Sequence, residues 1–259
     1  MAEASLLSGN LRSKPMSRWK AAGIHLAISA CVAACAALLI FCVWYPSPYS
    51  HAAGADQLVV MLLGIDIILG PLLTLVVYKQ GKKSLRFDLS VIALLQVCAF
   101  AYGMSIVVRA RPAFIVSRID RFVLVTANEL DDADLAKGSK PEFQRIPWTG
   151  PRVVGALLPT DTEKRNDLVF SGAGGKDLER FPQYYVDYDQ AAPTLLARAK
   201  PIADLVKAKP EAAQQIESRF GADSNNVVWL PLTAPRASMT MLLDGKSGKV
   251  LGALPIDPW

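Results

Sequence analysis

Residues 21–45 form a run of 25 positions with no Lys, Arg, Asp or Glu. A helix of that length, rising about 1.5 Å per residue, crosses the roughly 30 Å hydrocarbon core of a bilayer. Two more runs repeat the pattern. Residues 58–78 contain fourteen Leu, Ile or Val and a single acidic residue, Asp66, and residues 89–108 contain no charge. Each aliphatic residue near a span centre favours insertion by about 0.4 kcal/mol, against a cost of about 3 kcal/mol for a central carboxylate. Insertion wins, and the pattern predicts three transmembrane helices.

Composition shows where these spans stop. The whole chain is 52% hydrophobic and 20% charged, with a mean hydropathy of +0.27, too apolar for one ordinary soluble domain. The first 108 residues hold only 12 of the 51 charged side chains, and the remaining 151 hold 20 basic and 19 acidic ones. That second part is rich in aromatic and branched residues, which indicates a folded domain rather than disorder. The expected division is a segment 1–20, a three-helix membrane region 21–108 and a domain 109–259.

Orientation follows from the short-loop cations. Arg12, Lys14, Arg18 and Lys20 precede the first span, and Lys79, Lys82, Lys83 and Arg86 join the second to the third, whereas the loop 46–57 has neither Lys nor Arg. The N-terminus and second loop are therefore expected in the cytoplasm and the domain 109–259 outside it, with Arg109 and Arg111 outvoted. Arg18 and Lys20 before an apolar run also suit a secretory signal, and Ile28-Ser29-Ala30-Cys31 resembles a lipoprotein cleavage box. The apolar run continues fourteen residues past Cys31, which argues against cleavage. The net charge of +5 is thus a topology signal and not a nucleic-acid footprint.

The second span carries the most informative polar group. Asp66, Gly70 and Thr74 recur at i, i+4 and i+8, placing a carboxyl and two small residues on one helical face. Pro71 removes a backbone donor and crowds the carbonyl of Ile67, so a kink is expected beside that face. Small pairs Ala30/Ala34 and Ala33/Ala37 in the first span permit close helix approach, and Gln96 or Tyr102 in the third, with Gly103 nearby, can satisfy Asp66. Two readings stand: an internal three-helix lock, and a notch that receives another protein's transmembrane helix. A lone acid without an inverted repeat does not suit a transporter.

The domain 109–259 reads as strands at 113–117, 122–127 and 152–158, a loop 129–150 with one short helix, a helical middle and a terminal meander at 227–232, 238–243 and 249–254. Phe181, Tyr184, Tyr185 and Tyr188 recur at helical spacing, and proline-led helices are expected at 193–200, 201–209 and 210–220. Asp244-Gly245-Lys246-Ser247-Gly248 is a turn signal. The expected fold is α+β, an antiparallel sheet with helices on one side.

Chemistry is scarce. His25 and His51 are the only histidines, and Cys31, Cys35, Cys42 and Cys98 all lie in the spans. The domain 109–259 therefore contains no Ser-His-Asp triad, Cys-His dyad or His/Cys zinc site. Cys31 and Cys35 share a helix face and read as small hydrophobes rather than a redox pair. Glu129, Asp131, Asp132 and Asp134 offer acid pairs but sit on one polar stretch that reads as a solvated loop. Gly172-Ala173-Gly174-Gly175-Lys176 lacks the first Gly and the final Ser or Thr of a phosphate-binding loop. No catalytic residue, metal or cofactor is expected.

The run Gly-Ile-Asp-Ile-Ile-Leu-Gly-Pro-Leu-Leu-Thr-Leu-Val-Val-Tyr at 64–78, Lys-Lys-Ser-Leu-Arg-Phe-Asp-Leu at 82–89, Ala-Arg-Pro-Ala-Phe at 110–114 and Asp-Arg-Phe at 120–122 resemble, together, the type IV pilin accessory proteins of the TfpX/TfpZ kind. The resemblance implies an inner-membrane protein of a Gram-negative bacterium with a periplasmic domain. It further implies a non-enzymatic, chaperone-like factor whose partner is the major pilin. Asp66, Gly70, Pro71, Thr74, Gln96 and Tyr102 are the candidate partner-binding residues. Two alternatives are a pilin-modifying membrane enzyme and a membrane sensor, the latter disfavoured by a cytoplasmic segment of only about twenty residues, too short to fold alone. Alkaline phosphatase fused after Trp259 should be active in cells, and a cytosol-restricted reporter at the same site should stay dark; the reverse pair of readings would invert the topology.

Overall fold

A segment inside hydrocarbon has to pair every backbone N–H and C=O internally, which leaves helices as the available form for runs this apolar. The computed structural model describes residues 16–221 and 226–259. Residues 1–15, with Arg12 and Lys14 of the charge argument, lie outside the described residues. Helix α1 (Arg18–Leu39) continues as a π-helix over Ile40–Trp44, followed by a short α2 (Tyr49–Ala52), α3 (Ala55–Val77) and α4 (Leu85–Arg109). The three long helical segments, of 27, 23 and 25 residues, are long and apolar enough to cross a membrane. α4 begins before the uncharged run because Asp88 is held in its first turn, 2.7 Å from Lys82 Nζ and accepting from Ser84 Oγ at 3.1 Å.

The chain forms two compact units. One comprises Met61–Tyr102 with α1 up to Cys35, and the other comprises Ala36–Val60 with Gly103–Trp259.

In the second unit an eight-stranded sheet is built from β1 (Pro112–Ser117), β2 (Phe122–Thr126), β3 (Arg152–Ala156), β4 (Tyr185–Val186), β5 (Lys200–Pro201), β6 (Val227–Thr233), β7 (Met239–Asp244) and β8 (Val250–Leu254). The order is β4-β3-β1-β2-β6-β7-β8, with β5 paired to β6. The helices of this unit are α5 (Asp132–Leu135), α6 (Thr162–Ala173), α7 (Tyr188–Leu196), α8 (Ile202–Ala208) and α9 (Glu211–Phe220). The architecture is α+β, as the pattern indicates, with two refinements. β1/β3 and β2/β6 pair in parallel, both where the chain returns from a long excursion; tight turns give the antiparallel pairs β1/β2 and β7/β8.

Helices also cover both faces of the sheet. Ile115, Leu124, Leu230, Met241 and Leu243 pack with Ala191 and Leu195 of α7. On the opposite face, Trp229 and Leu242 pack with Ile202 and Leu205 of α8 and Ala212 and Ile216 of α9. The strands bear apolar residues on both sides, so each face needs a cover.

Three local expectations change. The aromatic run is not one helix: Phe181 takes an extended φ of −119° before Pro182, 3₁₀ turns flank it at Leu178–Arg180 and Pro182–Tyr184, and Tyr185 enters β4. The residue before proline is pushed away from helical geometry, which breaks the period. The helix expected at 193–200 begins earlier, at Tyr188, with Pro193 inside it, whereas Pro201 and Pro210 stand at the N-caps of α8 and α9. Helix α6 was not anticipated, although its N-cap is legible: Asp161 Oδ1 accepts from the backbone N of Glu163 and of Lys164 at 2.8 and 3.2 Å.

Gly155 on β3 lets α7 approach, since a Cβ there would lie 2.6 Å from Ala191 Cβ and 2.9 Å from Val186 Cγ2. Gly155→Val should destabilise this unit by about 1–3 kcal/mol through overpacking, read as a drop of several degrees in the thermal midpoint of the purified full-length protein.

Candidate partner-binding site in the apolar helices

The three helices of the first unit each bring one polar-bearing stripe to a common cavity of about 220 Å³. From α1 come His25, Ser29 and Ala33, from α3 Leu63 and Asp66, and from α4 Ala93, Gln96 and Phe100. The stripes arise because positions three or four residues apart stack along one helical side. Gln96 Nε2 donates to the backbone carbonyl of Asp66 at 3.3 Å. The bond goes to the main chain of Asp66 and not, as expected, to its carboxyl, which is left lining the cavity.

Gly70 is what admits Gln96, because a Cβ at this position would meet the Gln96 carboxamide carbon at 2.7 Å. Thr74, 3% exposed, is bonded to His25, with Oγ1 and Nδ1 2.6 Å apart. The structure thus assembles Asp66, Gly70, Thr74 and Gln96. Pro71 lies inside α3, which continues through it to Val77, and Tyr102 is 71% exposed and outside the cavity lining.

Sequence reasoning passed over His25 and Ser29 as members of this site, yet their signal was present: His25, Ser29 and Ala33 repeat the spacing of Asp66, Gly70 and Thr74. Ala33 faces inward at 5% exposure, whereas Ala30 and Ala34 of the expected small pairs are exposed.

In the acidic stretch of the second unit Glu129, Asp131 and Asp134 are paired with cations, of which Lys176 and Arg180 come from distant sequence. Lys176 Nζ pairs with Asp131 and, at 2.5 Å, with Asp134, which also meets Lys137 Nζ at 3.2 Å. Arg180 Nη2 lies 2.5 Å from Glu129 Oε1. Lys176 belongs to the glycine-rich stretch that superficially resembled a phosphate loop; here Gly174 caps α6 and Gly175 turns with φ +84°, delivering the lysine to the acids. The ammonium of Lys176, hydrogen-bonded to Asp134, holds that carboxyl below the usual carboxylate range.

Three membrane-length helices lining a mostly apolar cavity with Asp66 on its wall, carried by the same chain as an α+β unit, define a multi-pass membrane protein. A family model described as fimbrial assembly protein FimB matches residues 13–54. The chain is 31% identical over 244 residues to the fimbrial assembly protein, serogroup I, of Dichelobacter nodosus, across 92% of this chain and 95% of that protein. It is 30% identical to the serogroup E1 protein of the same organism over the same shares. A match to the protein of serogroups C1 and C2 reaches 39% over 113 residues, 43% of this chain and 86% of that protein. No solved structure matches. Similarity at this level along nearly the whole length places the chain in the fimbrial assembly protein family.

Because the folded-state value of Asp134 is depressed, its contribution to stability is full above its unfolded value near pH ~4 and is lost as pH falls through the folded value. Asp134→Asn should therefore cost about 1 kcal/mol at pH 7, with the difference from wild type shrinking in thermal melts as pH falls below the ordinary carboxylate value of about 4.

Proposed function

We propose that this protein is a non-enzymatic accessory factor of type IV pilus biogenesis, seated in the inner membrane with its α+β unit in the periplasm, and that it binds the major pilin. The observation that carries the reading is the Asp66 cavity. A carboxyl is costly in hydrocarbon, and here two polar side chains of the cavity wall are committed elsewhere, Gln96 to a backbone carbonyl and His25 to Thr74. A guest helix that offers a donor to Asp66 relieves that cost, and small residues around it permit close approach.

Family membership supports the biological setting, since the relatives are named for fimbrial assembly. The charge asymmetry of the loops supports the periplasmic side. The non-enzymatic reading is supported by the second unit, whose acidic stretch is occupied by ion pairs with Lys176, Lys137 and Arg180.

A photoreactive amino acid placed at Val97, beside the cavity, should crosslink the major pilin in cells, and Asp66→Leu should reduce pilin co-purification at least tenfold while leaving the purified protein folded. Undiminished co-purification would remove the cavity from the binding interface. Pilin from a strain lacking this protein should keep its intact mass; a lost modification would favour the enzymatic alternative.

A further inference from the structure

The loop 147–150 is tied to the end of the first apolar helix. Gly150 N donates to Val43 O at 2.7 Å, and a Cβ on Gly150 would lie 2.9 Å from Pro46 Cγ. Val43 immediately precedes Trp44, where the first membrane-length segment ends. The loop is thereby held beside the end of the first membrane-length segment.

A second attachment comes from the end of α4. Arg111 Nη1 donates to Val108 O at 2.7 Å, and its Nε and Nη2 both reach Pro147 O at 3.5 Å. The same guanidinium lies 5.7 Å from the Trp148 ring centroid. Trp148 in turn meets Trp44 edge-on, with centroids 5.7 Å apart at 89°. Yet the two indoles differ sharply in exposure, 3% for Trp44 and 64% for Trp148. Two of the three span ends converge on one exposed indole, and Arg109, the last residue of α4, is exposed and pairs with no carboxylate among the described residues.

Indole is amphipathic, with an apolar body and one N–H donor, and it partitions to the boundary between headgroups and acyl chains; an unpaired guanidinium at the same level suits lipid phosphate. We propose that Trp148 is a membrane-interface anchor: its ring inserts among lipid headgroups beside the ends of α1 and α4, so that the loop 147–150 contacts the bilayer. The partner is the lipid surface itself. The placement also accounts for Arg111, which opposes the charge rule because it serves as a strut beneath the indole.

Full-length protein and Trp148→Phe are to be reconstituted in nanodiscs of phosphatidylethanolamine and phosphatidylglycerol, with a headgroup-nitroxide lipid or with aqueous iodide as quencher. The wild-type emission in excess of the variant's should be quenched at least twofold more by the nitroxide lipid than by iodide. Equal or stronger quenching by iodide, or quenching by neither, would overturn the anchor and point to a solvent-facing or protein-covered indole. Since Trp148→Phe disturbs the contact with Trp44, a second variant reads the same loop with Trp148 retained. Thr149→Cys, in a chain whose four cysteines are replaced by Ser, carries an environment-sensitive fluorophore. Blue-shifted, nitroxide-quenched emission supports insertion, and solvent-like emission contradicts it.

Discussion

A chain that leaves hydrocarbon between two apolar helices exposes the polar backbone of its turn, and those groups have to be paired by water or protein. This protein bonds groups of this stretch to loops of the second unit and to α4. Arg236 N donates to Ala52 O and Gly150 N to Val43 O, while Tyr45 Oη donates to Val107 O at 2.7 Å. Tyr49, Ala52 and Ala53 join the apolar cluster that contains Ile115, Leu230 and Met241. The helix-hairpin tip and the sheet therefore share one core. A tethered domain on a flexible linker would have no such shared contacts.

The cavity in the first unit reflects the opposite economy. Polar side chains in lipid are tolerated where they find partners, and here His25 and Thr74 engage one another while Gln96 engages a carbonyl. Asp66 keeps its carboxyl on the cavity wall, between an amide committed to the main chain and a histidine committed to Thr74. Gln96, His25 and Thr74 supply an internal lock, and Asp66 keeps the unspent polarity on which the proposed docking notch rests. In the second unit charges are treated differently, with acids and cations brought together from distant segments into surface ion pairs.

Legibility followed the range of the interactions. Charge-free runs and their loop cations are local features, and the three long helices were visible for that reason. The face Asp66, Gly70 and Thr74 was legible because helical spacing alone creates it; His25 was overlooked because its role depends on which side of α1 turns towards α3. Proline signals worked at α8 and α9, where Pro201 and Pro210 stand at the caps, and misled around Phe181, where Pro182 interrupts an aromatic period that looked helical. The parallel joins β1/β3 and β2/β6 left no local trace, since pairing across long excursions is decided by packing.

By itself the sequence determined that three segments had to be helical and membrane-length, that the remainder had to fold with a core of its own, and that a single carboxyl would lie within the second span. Each follows from the run of side chains and the cost of exposing or burying them. Only tertiary structure decided that Gly70 would make room for the Gln96 side chain, that Lys176 would close the acidic stretch, and that Arg111 and Trp148 would meet at the end of the first helix. Those outcomes depend on contacts between residues far apart in the chain, whose energies exist only once the elements have packed.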